Sequence, residues 1–525
     1  MYQSLDIIPG KTQDGAAGLV ARFFWALVAL ILAIGLIFRL PGLSSRSLWI
    51  DELYSQWFSS RSFAELWRDV PSYETHPPSY YTLLKLWTLV FGDSELGLRS
   101  LSLVASMATI LAVAVSGRFL KAGLRAEGVG LLAATFLAVN YANIRDAQNA
   151  RPYALQTFII TVAILAAFSL VARLNQSAIA NEHSEGRLAD GWRTAGLVLG
   201  LSTGCALWIH NTSLFIALGI WCGLGLSLIV TPAGQRLRNF AIFCAAGILA
   251  LVIWAPYAPL FIEQSHAFSG LAFWLEPKTR DLYSAWMLLL GESWPAFSLS
   301  LVLLGFGIFR LARCGPVFAL LAGAILLVPL YSVLMLSFAV KPIYIQRLFA
   351  WMVPLASLVI ALGILTATNR QWLRLVLMLL VVLISAARSV VDIDRPIDDW
   401  KAIVAEIARN ARPGDVVIAV PAEGSIAVGY YAARQAHFPP VVCVPGCYPQ
   451  RNLPRVYGSN FGAPKLIEAD GEIVDRALST HGRVWLVQVS VQLYDPKSIV
   501  RSRIAAARTF VRYYGNSLAR VDLFE

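Results

Sequence analysis

Runs of about twenty mostly apolar residues, separated by short basic loops, leave this chain few folds to adopt. A helix rises about 1.5 Å per residue, so roughly twenty apolar residues cross a bilayer core. Such runs fall near 18–40, 98–117, 128–144, 152–172, 194–210, 212–230, 239–262, 284–309, 316–339, 348–367 and 372–390. They predict about eleven spans and a mainly α, polytopic helical membrane protein. Composition agrees: of 525 residues, 57% are hydrophobic and only 14% charged, against about 25% charged in an ordinary globular chain. These values exclude a disordered chain, a coiled coil and a small disulfide scaffold. The net charge of +11 does not mark a nucleic-acid binder, because the basic residues are spread over short loops and form no stripe. The first run is too long for a cleavable signal peptide, and no small-residue cleavage site follows it.

Orientation follows from Lys and Arg in the short loops. Arg118, Lys121 and Arg125 lie in one loop, Arg173, Arg187 and Arg193 in another. Arg236 with Arg238, Arg310 with Arg313, and Arg370 with Arg374 complete the set. These loops alternate along the chain and so share one side, the cytoplasm, with Lys11 and Arg22 of the amino terminus. The outer side receives residues 41–97, 145–151, 210–212, 263–283 and 340–347, and everything after 390. The expected location is the inner membrane. Residues 78–91 (PSYYTLLKLWTLVF) are too short to span and would invert every later loop if they did. They read as an interfacial helix within a long outer loop, 41–97.

Two domains are expected: 1–391, the membrane domain, and 392–525, a small α/β domain on the outer face. In the latter, Asp399–Ala411 has a helical pattern, and Val416–Val420, Val441–Val444 and Val484–Val487 read as buried strands. Cys443 and Cys447 lie in a compartment that permits a disulfide, and the sequence leaves their pairing open.

The outer segments concentrate chemistry. Asp51 and Glu52 follow the first span, and two adjacent carboxylates at a membrane surface are costly unless paired, metal-bound or used. A plain helix cap at Asp51 is the bland alternative. Glu74 and His76 precede Pro77 and Pro78, which rigidly open the next helix. Helix starts favour anions. Arg145, Asp146 and Arg151, with Tyr153, form a third cluster, where positive charge opposes the loop-charge bias; such an Arg either pairs bidentately with a lipid phosphate or merely snorkels. His210 sits at another outer helix end. Lys341, Tyr344 and Arg347 make a late basic segment, and the 263–283 loop adds Glu263, His266, Trp274 and Arg280. No cofactor is demanded. A divalent metal stays open, since Asp51, Glu52, His76 and His210 are suitable ligand types, although their spacing forms no local metal motif.

The order DE after the first span, then HPPSYYTLLKLW, FGDSELGLRSLS, GRFLKAG, QNARPYAL and IYIQRLF resembles the GT-C class of membrane glycosyltransferases. The likeness is to the protein O-mannosyltransferase and lipid A aminoarabinose-transferase superfamily, over roughly residues 20–370. The resemblance implies a hexosyl- or pentosyltransferase with a polyprenyl-phosphate sugar donor, working on the periplasmic side. A glycolipid such as lipopolysaccharide, a polysaccharide or a protein would be the acceptor. It implies that Asp51 acts as base with Glu52 as its partner, and that His76, Arg151, Lys341 and Arg347 lie toward the donor phosphate. Glu74, Tyr153, His210 and Tyr344 are further pocket candidates. Asn149 stands where the family's Q-E-A-R-x-Y motif has Glu, and Leu348 stands where Tyr commonly follows the late Arg. Direct displacement of an activated phosphate would invert the anomeric centre.

The rival readings are a polytopic secondary transporter or lipid flippase, and a structural envelope protein. A transporter places its polar residues near the midplane, often with repeat symmetry; here they gather at one face and no repeat is visible. The topology is directly testable. A reporter active only outside the cytoplasm should be active when fused at Glu525 and silent when fused near Ala122. The opposite pair of results would put both the acidic and the basic clusters on the cytoplasmic face.

Overall fold

The computed structural model describes residues 14–74, 76–119, 127–177, 185–267, 275, 277–290, 293–392, 398–449, 466–516 and 518–525. Lys11, Lys121, Arg125 and Trp274 lie outside the described residues. The chain forms two compact units. One comprises Met1–Gly42, Arg99–Pro259 and Leu275–Ile393; the other comprises Leu43–Leu98, Leu260–Trp274 and Asp394–Glu525.

The first unit is helical and polytopic. Among the described residues, nine helical segments are long and apolar enough to cross a membrane. They match nine of the eleven expected runs, and the remaining two are informative. The run at 194–210 lies in the helix Glu185–Ile209, whose apolar stretch is diluted by Gly, Ser and Thr. The run at 128–144 is broken into the helices Glu127–Val139 and Tyr141–Ala147. Asn140 makes the break, because its side chain accepts the Asn143 N–H at 3.1 Å and caps the second helix.

A helix that ends among other helices leaves carbonyls that no water reaches. Buried Arg39, in the last turn of the Asp14–Arg39 helix, answers this. Its Nη1 donates to Ala138 O at 2.8 Å and Gly35 O at 2.9 Å, its Nη2 to Leu137 O at 3.2 Å, and its Nε to Ser106 Oγ at 2.9 Å. Ser389 Oγ donates to Val139 O at 2.7 Å. Gln148 Nε2 in turn donates to Arg39 O at 3.2 Å and Pro41 O at 2.6 Å, which holds the end of the first span. Elsewhere, backbones meet directly. A Cβ at Gly307 would stand 2.0 Å from Val359 O, and one at Gly363 would stand 1.8 Å from Leu303 O. Reciprocal glycines therefore let the Trp294–Cys314 and Val353–Ala367 helices approach closely.

The second unit joins the segment after the first span to the carboxyl-terminal residues. The helices Ile50–Ser60, Phe63–Tyr73 and Pro78–Phe91 include the helix expected at 78–91, with those bounds. Its Leu86, Leu89, Val90 and Phe91 are exposed and apolar. The domain holds a five-stranded sheet of β1 (Val416–Val420), β2 (Val441–Cys443), β3 (Val484–Val489), β4 (Phe510–Gly515) and β5 (Ala519–Phe524), in the order β2-β1-β3-β5-β4. β1 runs parallel to β2 and β3, whereas β5 runs antiparallel to β3 and β4. β1 and β3 are buried throughout, as their continuous apolar runs require. Cys443 and Cys447 form a disulfide. Tyr431 OH accepts the Leu48 N–H at 2.8 Å, Tyr430 OH donates to Asp93 O at 2.8 Å, and Lys401 pairs with Glu95 at 3.3 Å. These bonds join residues 47–95 to the sheet domain.

Arg39→Leu should be destabilising by about 1–3 kcal/mol, since it takes the guanidinium from the Ala138 carbonyl, whereas Leu137 O still accepts the Asn140 N–H at 3.3 Å. Thermal unfolding in detergent should show a clear fall in midpoint, with Arg39→Lys intermediate. An unchanged midpoint for Arg39→Leu would remove the guanidinium from this role.

Candidate functional site

In the first unit, the break at Asn140 leads directly into the basic segment. Arg145 Nε donates to Asp146 Oδ1 at 2.9 Å. Asp146 is buried, and its Oδ2 has no hydrogen-bond partner among the described residues. Burial pushes this carboxyl up, against the pull of Arg145 and then of Arg347. Arg151 is buried, two residues before Tyr153 opens the Tyr153–Ser177 helix, and its carbonyl accepts from Ser102 Oγ at 3.4 Å. Arg347 lies on the 3-10 turn Gln346–Met352, which continues into the Val353–Ala367 helix. Its guanidinium stands 5.9 Å from the Tyr153 ring centre, and that ring is 5.7 Å from the His210 ring. The fold thus gathers Arg347, Tyr153, His210 and Asp146 from three separate stretches of sequence.

The remaining candidates of this unit have defined places. His210 is buried, and its Nδ1 accepts the Thr212 N–H at 3.1 Å. That bond ties the ring to its own turn. Tyr344 OH shares a 2.6 Å hydrogen bond with Ser284 Oγ, and its ring stacks on Phe349. Burial pushes its phenol up to about 12, with the Ser284 bond opposing. Lys341 is half-buried, which lowers its ammonium from the ordinary value.

In the second unit, Asp51 occupies the first turn of the Ile50–Ser60 helix and is half-buried. Glu52 is fully buried, and its Oε2 accepts the Trp49 N–H at 3.3 Å, closing the start of its own helix. His76 Nδ1 lies 2.5 Å from Glu74 Oε1, and Tyr81 OH donates to Glu74 Oε2 at 3.0 Å. Gln264 Nε2 donates to the carbonyls of Glu74 and His76 at 2.9 and 3.3 Å. His76 and Glu74 therefore form one paired group. Among the described residues, no group of three or more His, Cys, Asp or Glu side chains is placed to hold a metal ion.

Sequence reasoning passed over several residues. Asp146 was legible only as a neighbour of Arg145. Tyr54 lies one helical turn beyond Asp51. Its phenol is pushed well above the ordinary value by burial, then by Glu423, to which it is hydrogen-bonded. Tyr448 packs edge-on to Trp57 at 4.7 Å and Tyr54 at 5.4 Å. Glu423, Tyr448 and Asp398 come from the sheet domain, and no local spacing links them to Asp51.

A polytopic helical membrane fold, carrying a small carboxyl-terminal five-stranded sheet, is what these elements define. The chain is similar to the crystal structure of ArnT from Cupriavidus metallidurans in the apo state. The TM-score is 0.59 at 13% identity, over 97% of this chain and 98% of that one. It is likewise similar to the structure of ArnT from that organism bound to undecaprenyl phosphate, with a TM-score of 0.55 at 14% identity over 94% and 97% of the two chains. No family model and no curated protein sequence matches the chain.

Proposed function

We propose that this protein is a membrane glycosyltransferase that moves a sugar from a polyprenyl-phosphate donor to an acceptor hydroxyl on the outer face of the inner membrane. The observation that carries the reading is the group of Arg145, Asp146, Arg347, Tyr153 and His210 in the first unit, set within a fold shared along nearly its whole length with a protein crystallised with undecaprenyl phosphate. Arginine pairs with phosphate through a planar fork, which a lysine point charge does not match.

In this reading, Arg151 and Arg347 bind the donor phosphate and stabilise the charge that grows on it as the sugar leaves. Lys341 and Tyr344 stand on the same late segment and line the donor side. Asp51 takes the acceptor proton as the hydroxyl oxygen attacks the anomeric carbon, Glu52 holds its helix start, and His76, paired with Glu74, is the further candidate for the donor phosphate. One bond forms at the anomeric carbon, and the bond to the phosphate oxygen breaks. Prenyl phosphate leaves, and the configuration inverts. Residues 1–391 form the transferase domain and 392–525 an extracytoplasmic domain, with the amino terminus cytoplasmic.

Two measurements test this. Asp51→Asn should lower transfer from a prenyl-phosphate sugar at least about 100-fold, in line with general-base contributions, while the protein still accumulates in the membrane. Near-normal turnover would sink the role of Asp51. Arg151→Lys and Arg347→Lys should each weaken binding of prenyl phosphate, and the double variant should be non-additive if both grip one phosphate. Snorkelling predicts that Lys substitutes with little loss, so unchanged affinity in all three variants would remove both residues from the donor site.

A further inference from the structure

We propose that Asp398, from the sheet domain, is a positioning residue for Asp51: it secures the first turn of the helix that carries Asp51. The inference rests on the functional reading above, in which Asp51 takes the acceptor proton. Its geometric basis is the start of the Ile50–Ser60 helix. The residue before that helix is Trp49, which has no side-chain oxygen to cap the first N–H groups. Glu52 serves the Trp49 N–H. The Ile50 N–H donates instead to Asp398 Oδ2 at 3.4 Å, across 348 residues of sequence.

Asp398 is 3% exposed and precedes fully buried Trp400 by two residues. The next residue, Asp399, caps the Trp400–Asn410 helix through Ala402 N at 3.2 Å. The strand of chain before Asp51 is pinned to the same domain. Leu48 N donates to Tyr431 OH at 2.8 Å, Ser47 Oγ meets Tyr431 OH at 3.2 Å, and Lys401 N donates to Ser47 Oγ at 3.0 Å. Residues 47–50 thus take their positions from the sheet domain, and Asp51 follows directly.

The surroundings of Asp398 agree with this role. Burial pushes its carboxyl up, the Ile50 N–H and Trp400 oppose this, and the Asp51 charge adds to the rise. The Lys401 ammonium is directed to Glu95.

The test uses the full-length enzyme in lipid nanodiscs, with prenyl-phosphate sugar transfer followed in wild type, Asp398→Asn, Asp398→Ala and Asp51→Asn. Asp398→Ala should lose the bond to the Ile50 N–H, seen as faster amide hydrogen exchange over Ile50–Leu53, and lower kcat about 10-fold with KM little changed. Asp398→Asn keeps size and an acceptor oxygen, so it should leave that segment protected and restore most of kcat. An active wild type with unchanged kcat and exchange in Asp398→Ala, or equal losses in Asp398→Ala and Asp398→Asn, overturns this inference alone. A wild type with no transfer activity overturns the functional reading, and the inference with it.

Discussion

The buried Arg39 guanidinium is the interaction on which the membrane unit turns. It satisfies the Leu137 and Ala138 carbonyls at the end of a 13-residue helix, where an unmet carbonyl in an apolar setting would be costly. Only because those carbonyls are met does the chain break at Asn140. The break lets Tyr141–Ala147 turn away from a straight span and deliver Arg145, Asp146 and Arg151 to a helix end. The same arginine terminates the first span, and Gln148 from the broken segment holds its carbonyl. Two helix ends and one basic segment therefore share a single polar knot.

Close backbone approach performs a comparable service for the late basic segment. The Gly307 and Gly363 contacts lock the Val353–Ala367 helix against Trp294–Cys314. Arg347, on the turn that feeds this helix, is placed by packing that glycine alone permits. Its approach to the Tyr153 ring adds a cation–π contact. A cation held in a lipid-facing protein is costly unless it is used or neutralised, and Asp146 supplies part of the neutralisation.

The second unit follows a different logic. Its sheet domain is an ordinary α/β core built on β1 and β3, and that core is recruited to organise residues 47–95. Tyr430, Tyr431, Lys401 and Asp398 all bond to residues 47–95. A short amphipathic helix such as Ile50–Ser60 is marginal by itself, so its first turn and the carboxylate on it depend on tertiary partners. The sheet domain is therefore part of the machinery that orients Asp51.

Much of this was legible from residue order. Apolar runs set the spans, because a bilayer demands about twenty residues per crossing. The helix at Pro78–Phe91 followed from its proline start, and β1 and β3 followed from continuous β-branched runs. Asp51, Glu74, His76, Arg151 and Arg347 stood out because charge at an outer helix end calls for a reason. The rest depended on contacts between residues far apart in sequence. The break at Asn140 reads as apolar and continuous until Arg39 answers its carbonyls from about a hundred residues away. Glu52 looks like half of a reactive pair until its carboxylate is found closing its own helix. Cys443 and Cys447 were left open in sequence and are joined in the fold. Asp398 carried no local signal, because its partner is a backbone N–H 348 residues earlier. Local sequence dictates which segments bury themselves and where charge is unusual. Which polar group answers which is decided only when the chain closes, because a buried donor or acceptor takes whatever partner the fold brings within about 3 Å.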